Sequence, residues 1–269
     1  MADAVSAWPR PYFKASEQRT SIFFVCFGKG AMADVPLSQS RFGLPGEQVA
    51  NQVELLQHQR SAARPWFEGW WASSFGVIAA QDLGSDLPLL TTSDTCFTLK
   101  LDLPDQPDLA PQQTVWALSR WLCARGASVV LDVHAFRYRT RDDVEGLGFD
   151  EADVLRDVKL VLETDPSQDD LHLMHTRGLC KFARPELTCF VTPDDASVMG
   201  RVLNQIARTL MEGARAEQIR LRVVEGVELV TRPSQDRALT ESLGLEAAVS
   251  LVRSDGAPLA GIGRLAPGA

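Results

Sequence analysis

Residues 97–138 read FTLKLDLPDQPDLAPQQTVWALSRWLCARGASVVLDVHAFRY, and their order decides the fold class. Phe97, Leu99 and Leu101 alternate with Thr98 and Lys100, the period-two pattern of a half-buried strand. Pro104 and Pro107 break it. Ala110-Pro111 then opens a helix, because a proline in the first turn sacrifices no hydrogen bond, and Gly126 closes it. Residues 127–133 follow as an apolar strand, and residues 136–138 continue as another.

The same order returns downstream. Residues 187–191 read as a strand, and Thr192-Pro193-Asp194-Asp195 reads as a helix start, with a threonine cap, a first-turn proline and acids facing the positive end of the dipole. The helix carries Met199, Val202, Leu203, Ile206 and Leu210 on one face and stops at Gly213. Strands at residues 219–224 and 227–230 flank a Glu225-Gly226 turn, and a last strand covers residues 247–252. The two strand–helix–strand–strand runs start at Phe97 and Leu187. The sequence therefore predicts an α+β protein: two related β-α-β-β units with mainly antiparallel sheets, plus an N-terminal extension.

Outward from this frame, residues 1–90 form the extension. Residues 1–20 are polar and read as an arm, residues 22–27 as a strand apolar on both faces, and residues 44–59 as a helix with Val49, Val53 and Leu56 on one face. An aromatic cluster, Trp66, Phe67, Trp70, Trp71 and Phe75, reads mainly as core. The first unit spans residues 91–141, an acidic connector 142–170, the second unit 171–256 and a loose Gly/Pro/Ala-rich tail 257–269. At roughly 150 residues per domain, 269 residues fit one large or two modest domains.

The formal net charge is −8, which disfavours a general nucleic-acid binder. That charge is local. Residues 142–170 hold eleven acids against two bases, so this segment alone carries −9. The expectation is an acidic surface, with Asp150, Glu151, Asp153 and Asp157 at its centre, that meets a basic protein, against the plainer reading of a solvated connector. The opening MADAVSAWPRP has neither a basic segment nor the apolar stretch of a secretory signal, and no apolar run approaches the ~20 residues of a membrane helix, so a soluble cytoplasmic chain is expected. Five cysteines without Cys-x-x-Cys spacing point to buried free thiols rather than disulfides or a zinc site.

The densest chemistry lies at residues 171–187, LHLMHTRGLCKFARPEL. Arg177, Lys181 and Arg184 have the makings of an anion cluster, and His175 with Glu186 of an acid–base pair, while Thr176 adds a hydroxyl. The competing reading is a loop that uses these groups to satisfy its own hydrogen bonds. Asp132 and His134 share one strand face and form a second candidate pair, able to make a His/Asp/His set if His175 were near. Nucleophile-elbow, phosphate-loop, His-Glu-x-x-His and dinucleotide patterns are absent from the sequence. No cofactor or resident metal is expected.

Two stretches together, residues 117–132 with GASVVLD at their end and residues 175–187 reading HTRGLCKFARPEL, resemble uncharacterised bacterial domains of unknown function. Those domains carry a helix followed by Gly-Gly-x-x-x-Asp, and a Thr-x-Gly-x-x-x-Phe-Gly-x-Pro-Glu/Asp-Leu motif. The likeness covers residues 95–232 and departs from the pattern at Ala183, where glycine is favoured, and at Arg177 inside the Thr-x-Gly step. Some relatives stand beside toxin and immunity genes, so the resemblance implies an immunity or accessory binding role. The expectation is a non-enzymatic protein-binding protein, immunity-like or an adaptor of a bacterial conflict or secretion system, that meets a basic partner through the acidic segment 142–170 and uses the 175–186 loop as a second contact. The alternative is an enzyme or small-anion binder centred on residues 175–186.

Overall fold

The apolar run at residues 22–27 lies within β1 (Arg19–Gly28), the middle strand of a five-stranded sheet. It lacks a polar side because both of its faces are covered. Phe24 meets Trp116 edge-on at 4.8 Å between ring centroids, and Phe27 on the opposite face packs against Phe67.

The computed structural model describes residues 5–163, 171–224, 227–234, 241–245, 247–259 and 262. The chain divides into two units, residues 1–9 with 20–152 and residues 10–19 with 153–269. After β1 the first unit contains α1 (Gln39–Phe42), α2 (Glu47–Ala50), β2 (Glu54–Gln59), α3 (Arg64–Ala72), α4 (Ser74–Leu83), α5 (Leu87–Thr91), β3 (Thr95–Pro104), α6 (Ala110–Arg125), β4 (Ala127–Asp132), β5 (Arg137–Thr140) and α7 (Arg141–Gly146). Its strand order is β2-β3-β1-β4-β5. The chain from β3 to β4 passes through α6, so β1 fills the place between them. Phe67, Ala79, Leu83 and Leu90 of α3, α4 and α5 close one face of the sheet over Val25, Phe27, Val129 and Leu131.

The second unit contains α8 (Val154–Asp157), β6 (Lys159–Glu163), β7 (His172–Arg177), β8 (Glu186–Val191), α9 (Ala196–Met211), β9 (Arg220–Val224), β10 (Val227–Pro233) and β11 (Ala248–Arg253). The sheet runs β6-β7-β8-β11-β10-β9, with β11 parallel to β8 and the other recorded pairs antiparallel. Met199, Val202, Leu203, Ile206 and Leu210 of α9 are all buried, as their spacing requires.

The α+β class, the two sheets and the antiparallel bias agree with the sequence reading. The β-α-β-β order recurs along the chain, but the pairing does not. In the first sheet the strand that follows the helix is interior; in the second it is the edge strand, and β10 lies inside it.

Several expectations are corrected. The helix expected over residues 44–59 is a single turn, α2, followed by the strand β2, which pairs along its whole length with β3. Pairing outweighs the apolar spacing of Val49, Val53 and Leu56. Residues 1–90 are no appended extension, since they supply β1, β2 and the layer α3 to α5. The acidic segment is no continuous connector either. It holds α7, α8 and β6, the units divide at residues 152 and 153, and residues 164–170 lie outside the described residues. Thr192 does not cap α9: a 3-10 turn at Pro193–Asp195 intervenes, and the Thr192 hydroxyl donates to Asp195 Oδ2 at 2.6 Å.

Residues 10–19 of the polar arm are anchored in the second unit. Tyr12 N donates to Glu212 O and Lys14 N to Gly213 O, both at 3.0 Å, and Arg10 reaches Met211 O and Phe182 O. Gly213 has φ +106°, and a Cβ there would stand 2.5 Å from Phe13 Cα. Gly213→Ala is therefore expected to cost at least about 2 kcal/mol in urea unfolding and to open the arm to trypsin at Lys14. Gly126→Ala, at φ +125° but with no close backbone, should cost about 1 kcal/mol and leave the arm protected.

Candidate functional site

The β7–β8 hairpin does gather the residues expected at 175–186. His175, Thr176 and Arg177 close β7, Lys181 lies in a 3-10 turn (Leu179–Phe182), and Glu186 opens β8. Gly178, at φ +110°, turns the chain so that successive amides point inward. The buried Glu186 carboxylate collects them: Oε1 accepts from Gly178 N at 2.8 Å and Leu179 N at 2.9 Å, and Oε2 from the Thr176 hydroxyl at 2.7 Å. Thr176 Oγ1 in turn accepts from Leu187 N at 2.8 Å. Burial pushes the Glu186 carboxyl up, and the donors from Thr176 and the turn amides pull it back.

Arg184 is saturated in the same way. Its Nε donates to Ala214 O and Nη1 to Ala183 O, each at 2.8 Å, and Nη2 donates to Gly213 O at 2.8 Å and Lys14 O at 3.0 Å. Arg177 Nη2 donates to Leu243 O, and Lys181 is buried. The expected anion cluster is corrected accordingly: these cations do not converge on an open pocket. Arg184 clamps backbone, and Glu186 ties a turn rather than pairing with His175. Arg184→Ala should destabilise the chain by about 3 kcal/mol. Arg184→Lys, with three donors on one centre, should recover less than half of that. Phosphate at about 1 mM, too dilute for general salting-out, should raise the wild-type melting temperature no more than chloride at equal ionic strength.

His175 is fully buried. Its Nδ1 lies 3.2 Å from Thr176 O and its Nε2 3.5 Å from Glu163 Oε1. Desolvation lowers its pKa, the Thr176 carbonyl opposes that, and Arg177 adds to it. The folded state thus resists a proton that the unfolded chain accepts near pH 6.5. The contribution is fully present above that pH and is lost as the pH falls toward the lowered folded value. Unfolding free energy is expected to decline as the pH falls from about 6.5 toward the lowered folded value, with a shallower slope in His175→Gln.

Asp132 and His134 belong to the first unit, whereas His175 belongs to the second. Buried Asp132 accepts from Ala135 N at 3.1 Å, and His134 Nε2 lies 3.3 Å from Ser21 Oγ. Among the described residues, no group of three or more His, Cys, Asp or Glu is placed to hold a metal ion. All five cysteines are free thiols, four of them buried and Cys180 half-buried.

The acidic residues separate by role. Asp157 is fully buried and takes Arg156 Nε and Nη2 at 3.1 and 2.9 Å, so it leaves the proposed contact surface. Asp153 caps α8 by accepting from Leu155 N at 2.9 Å. Asp150 and Glu151 are exposed in the first unit, next to the exposed Asp142, Asp143 and Glu145 of α7. That ledge is anchored. Thr140 and Asp143 form a capping box, Val144 is buried, and Phe149 lies 5.7 Å from Trp116 with its carbonyl accepting from Trp8 Nε1. Beside it is a depression of about 550 Å³ lined by Asp82, Asp142 and Asp143 with Arg137 and Arg139. The second unit has a more apolar hollow of about 480 Å³, with Leu171, Phe190, Val252, Leu259, Arg232 and Arg253 in its wall. The sequence reading missed both, because each is assembled from separate segments. The one local trace of the second is Phe190, an exposed aromatic in an otherwise buried strand.

No known protein family matches the chain, and no curated protein or solved structure matches it either. Among the described residues, no helix is long and apolar enough to cross a membrane.

Proposed function

We propose that the chain is a non-enzymatic protein-binding protein, immunity-like or an adaptor of a bacterial conflict or secretion system. It meets a basic partner through the acidic ledge of its first unit. The observation that carries this reading is the anchoring of that ledge. Asp142, Glu145, Asp150 and Glu151 are exposed, while the backbone between them is fixed by the Thr140–Asp143 box, by Val144 and by Phe149 on Trp116. Carboxylates on an anchored backbone spend less conformational entropy on meeting a cation, which competes with Arg141 for Asp142 and Glu145. Binding by such a surface is steered by charge and weakens with salt. The 175–186 hairpin supports the reading indirectly, because Arg184 and much of Glu186 are already occupied by main chain.

The test compares two triple reversals with the same change in net charge. One is Asp142→Lys with Asp150→Lys and Glu151→Lys; the other is Asp34→Lys with Asp86→Lys and Glu217→Lys. With a ten-lysine peptide as the probe, the ledge variant should lose at least about tenfold in affinity at about 50 mM salt, and the control less than about threefold. Equal losses would show that only overall charge matters and would overturn the assignment of the ledge.

A further inference from the structure

The two edges of the first sheet are not alike. At β5 the edge is blunted: Tyr138 N, pointing away from β4, donates to Asp82 Oδ2 of α4 at 2.8 Å, and the strand is four residues long. At the other edge β2 runs six residues, ELLQHQ, without lysine or proline, and is exposed at every position except the half-exposed His58. Leu55 and Leu56 are 39% and 44% exposed. An uncovered strand of this kind is a template for another strand.

Its hydrogen-bonding phase is fixed. Arg60 N donates to Asp94 O at 2.7 Å, one step beyond the Gln59–Thr95 pair. Antiparallel pairs alternate, so the main chain at residues 58, 56 and 54 also turns toward β3, and that at Leu55 and Gln57 turns outward. We infer that β2 pairs antiparallel with β2 of a second copy of this chain, with Leu56 at the two-fold axis. In that register Leu55 faces Gln57 of the other strand, so the outward N–H and C=O groups of both residues meet in closely spaced pairs. Leu56 meets its symmetry mate at a non-hydrogen-bonded position, where side chains approach closest. Glu54 then stands opposite His58, an acid against an imidazole, at both ends of the contact. His58 is already held from its own side by Trp66, stacked at 5.2 Å, and Trp66 is itself 36% exposed along this face. The sequence of β2 therefore complements itself in polar side-chain pairing, apolar contact and hydrogen-bond phase together, and two five-stranded sheets join as one of ten strands.

Light scattering on the full chain at about 100 μM should give a dimer mass, and Leu56→Lys, which opposes two like charges on the axis, should weaken dimerisation at least tenfold. Glu54→Lys and His58→Glu should each weaken it, and together they should restore it. Mild oxidation should link Leu56→Cys into a covalent dimer, because a separation of about 4.5 Å suits a disulfide. Leu55→Cys, placed diagonally, and the wild type should stay unlinked. A monomeric wild type, a dimer indifferent to Leu56→Lys, or equal cross-linking of both cysteine variants would overturn the inference.

Discussion

A guanidinium taken out of water must find acceptors for its five N–H groups, and a carboxylate taken out of water must find donors. In the second unit Arg184 and Glu186, two residues apart, meet that demand almost wholly on main chain. Much of the local architecture follows. The carbonyls that Arg184 needs come from Ala183, Ala214, Gly213 and Lys14, so the turn after β7, the end of α9 and the arm at residues 10–19 are drawn to one point. The donors that Glu186 needs require a turn with inward amides, which the left-handed Gly178 provides. Two desolvated ions thus fix a turn, a helix terminus and a chain segment far away in sequence. Removing either would leave several polar groups buried without partners, which is why these positions act as structure.

The elements legible in the sequence were those whose neighbours leave a periodic mark. The helix α6, bounded by Pro111 and Gly126, matches its expected limits, and α9 shows its buried stripe at helical spacing. β2 left no such mark. An edge strand exposed on both faces has no reason to alternate, and Leu55-Leu56 followed by polar residues fits a helix equally well. The strand order was not legible either. Whether the strand after a crossover helix becomes interior or marginal depends on which distant segment occupies the gap, β1 in one sheet and β11 in the other.

The candidate site was legible as residues and illegible as roles. Residues 175–186 stand out because they are dense in charge beside a glycine. A turn that must satisfy its own amides and carbonyls carries the same density, and only burial tells the two apart. Asp157 makes the point within the acidic run. Its neighbour Arg156 follows the backbone into the interior with it, and one pair of residues drops out of a surface that composition assigns to solvent. The Ala183 position reads differently once φ is known. At +54° it is left-handed, a conformation in which glycine carries no steric penalty. The alanine side chain there therefore carries a local cost in backbone energy.

The anchoring of residues 10–19 in the second unit has a consequence for biosynthesis. The ribosome delivers this segment before any strand of either sheet, yet its acceptors and donors at Glu212, Gly213 and Arg215 appear some two hundred residues later. Domains generally fold as they emerge, N-terminal first. Here a segment made early belongs to the unit finished last. The nascent chain must carry the arm unattached while β1, immediately behind it, is already needed at the centre of the first sheet. A polar, proline-bearing arm suits that wait, since it can stay hydrated without seeking a premature partner.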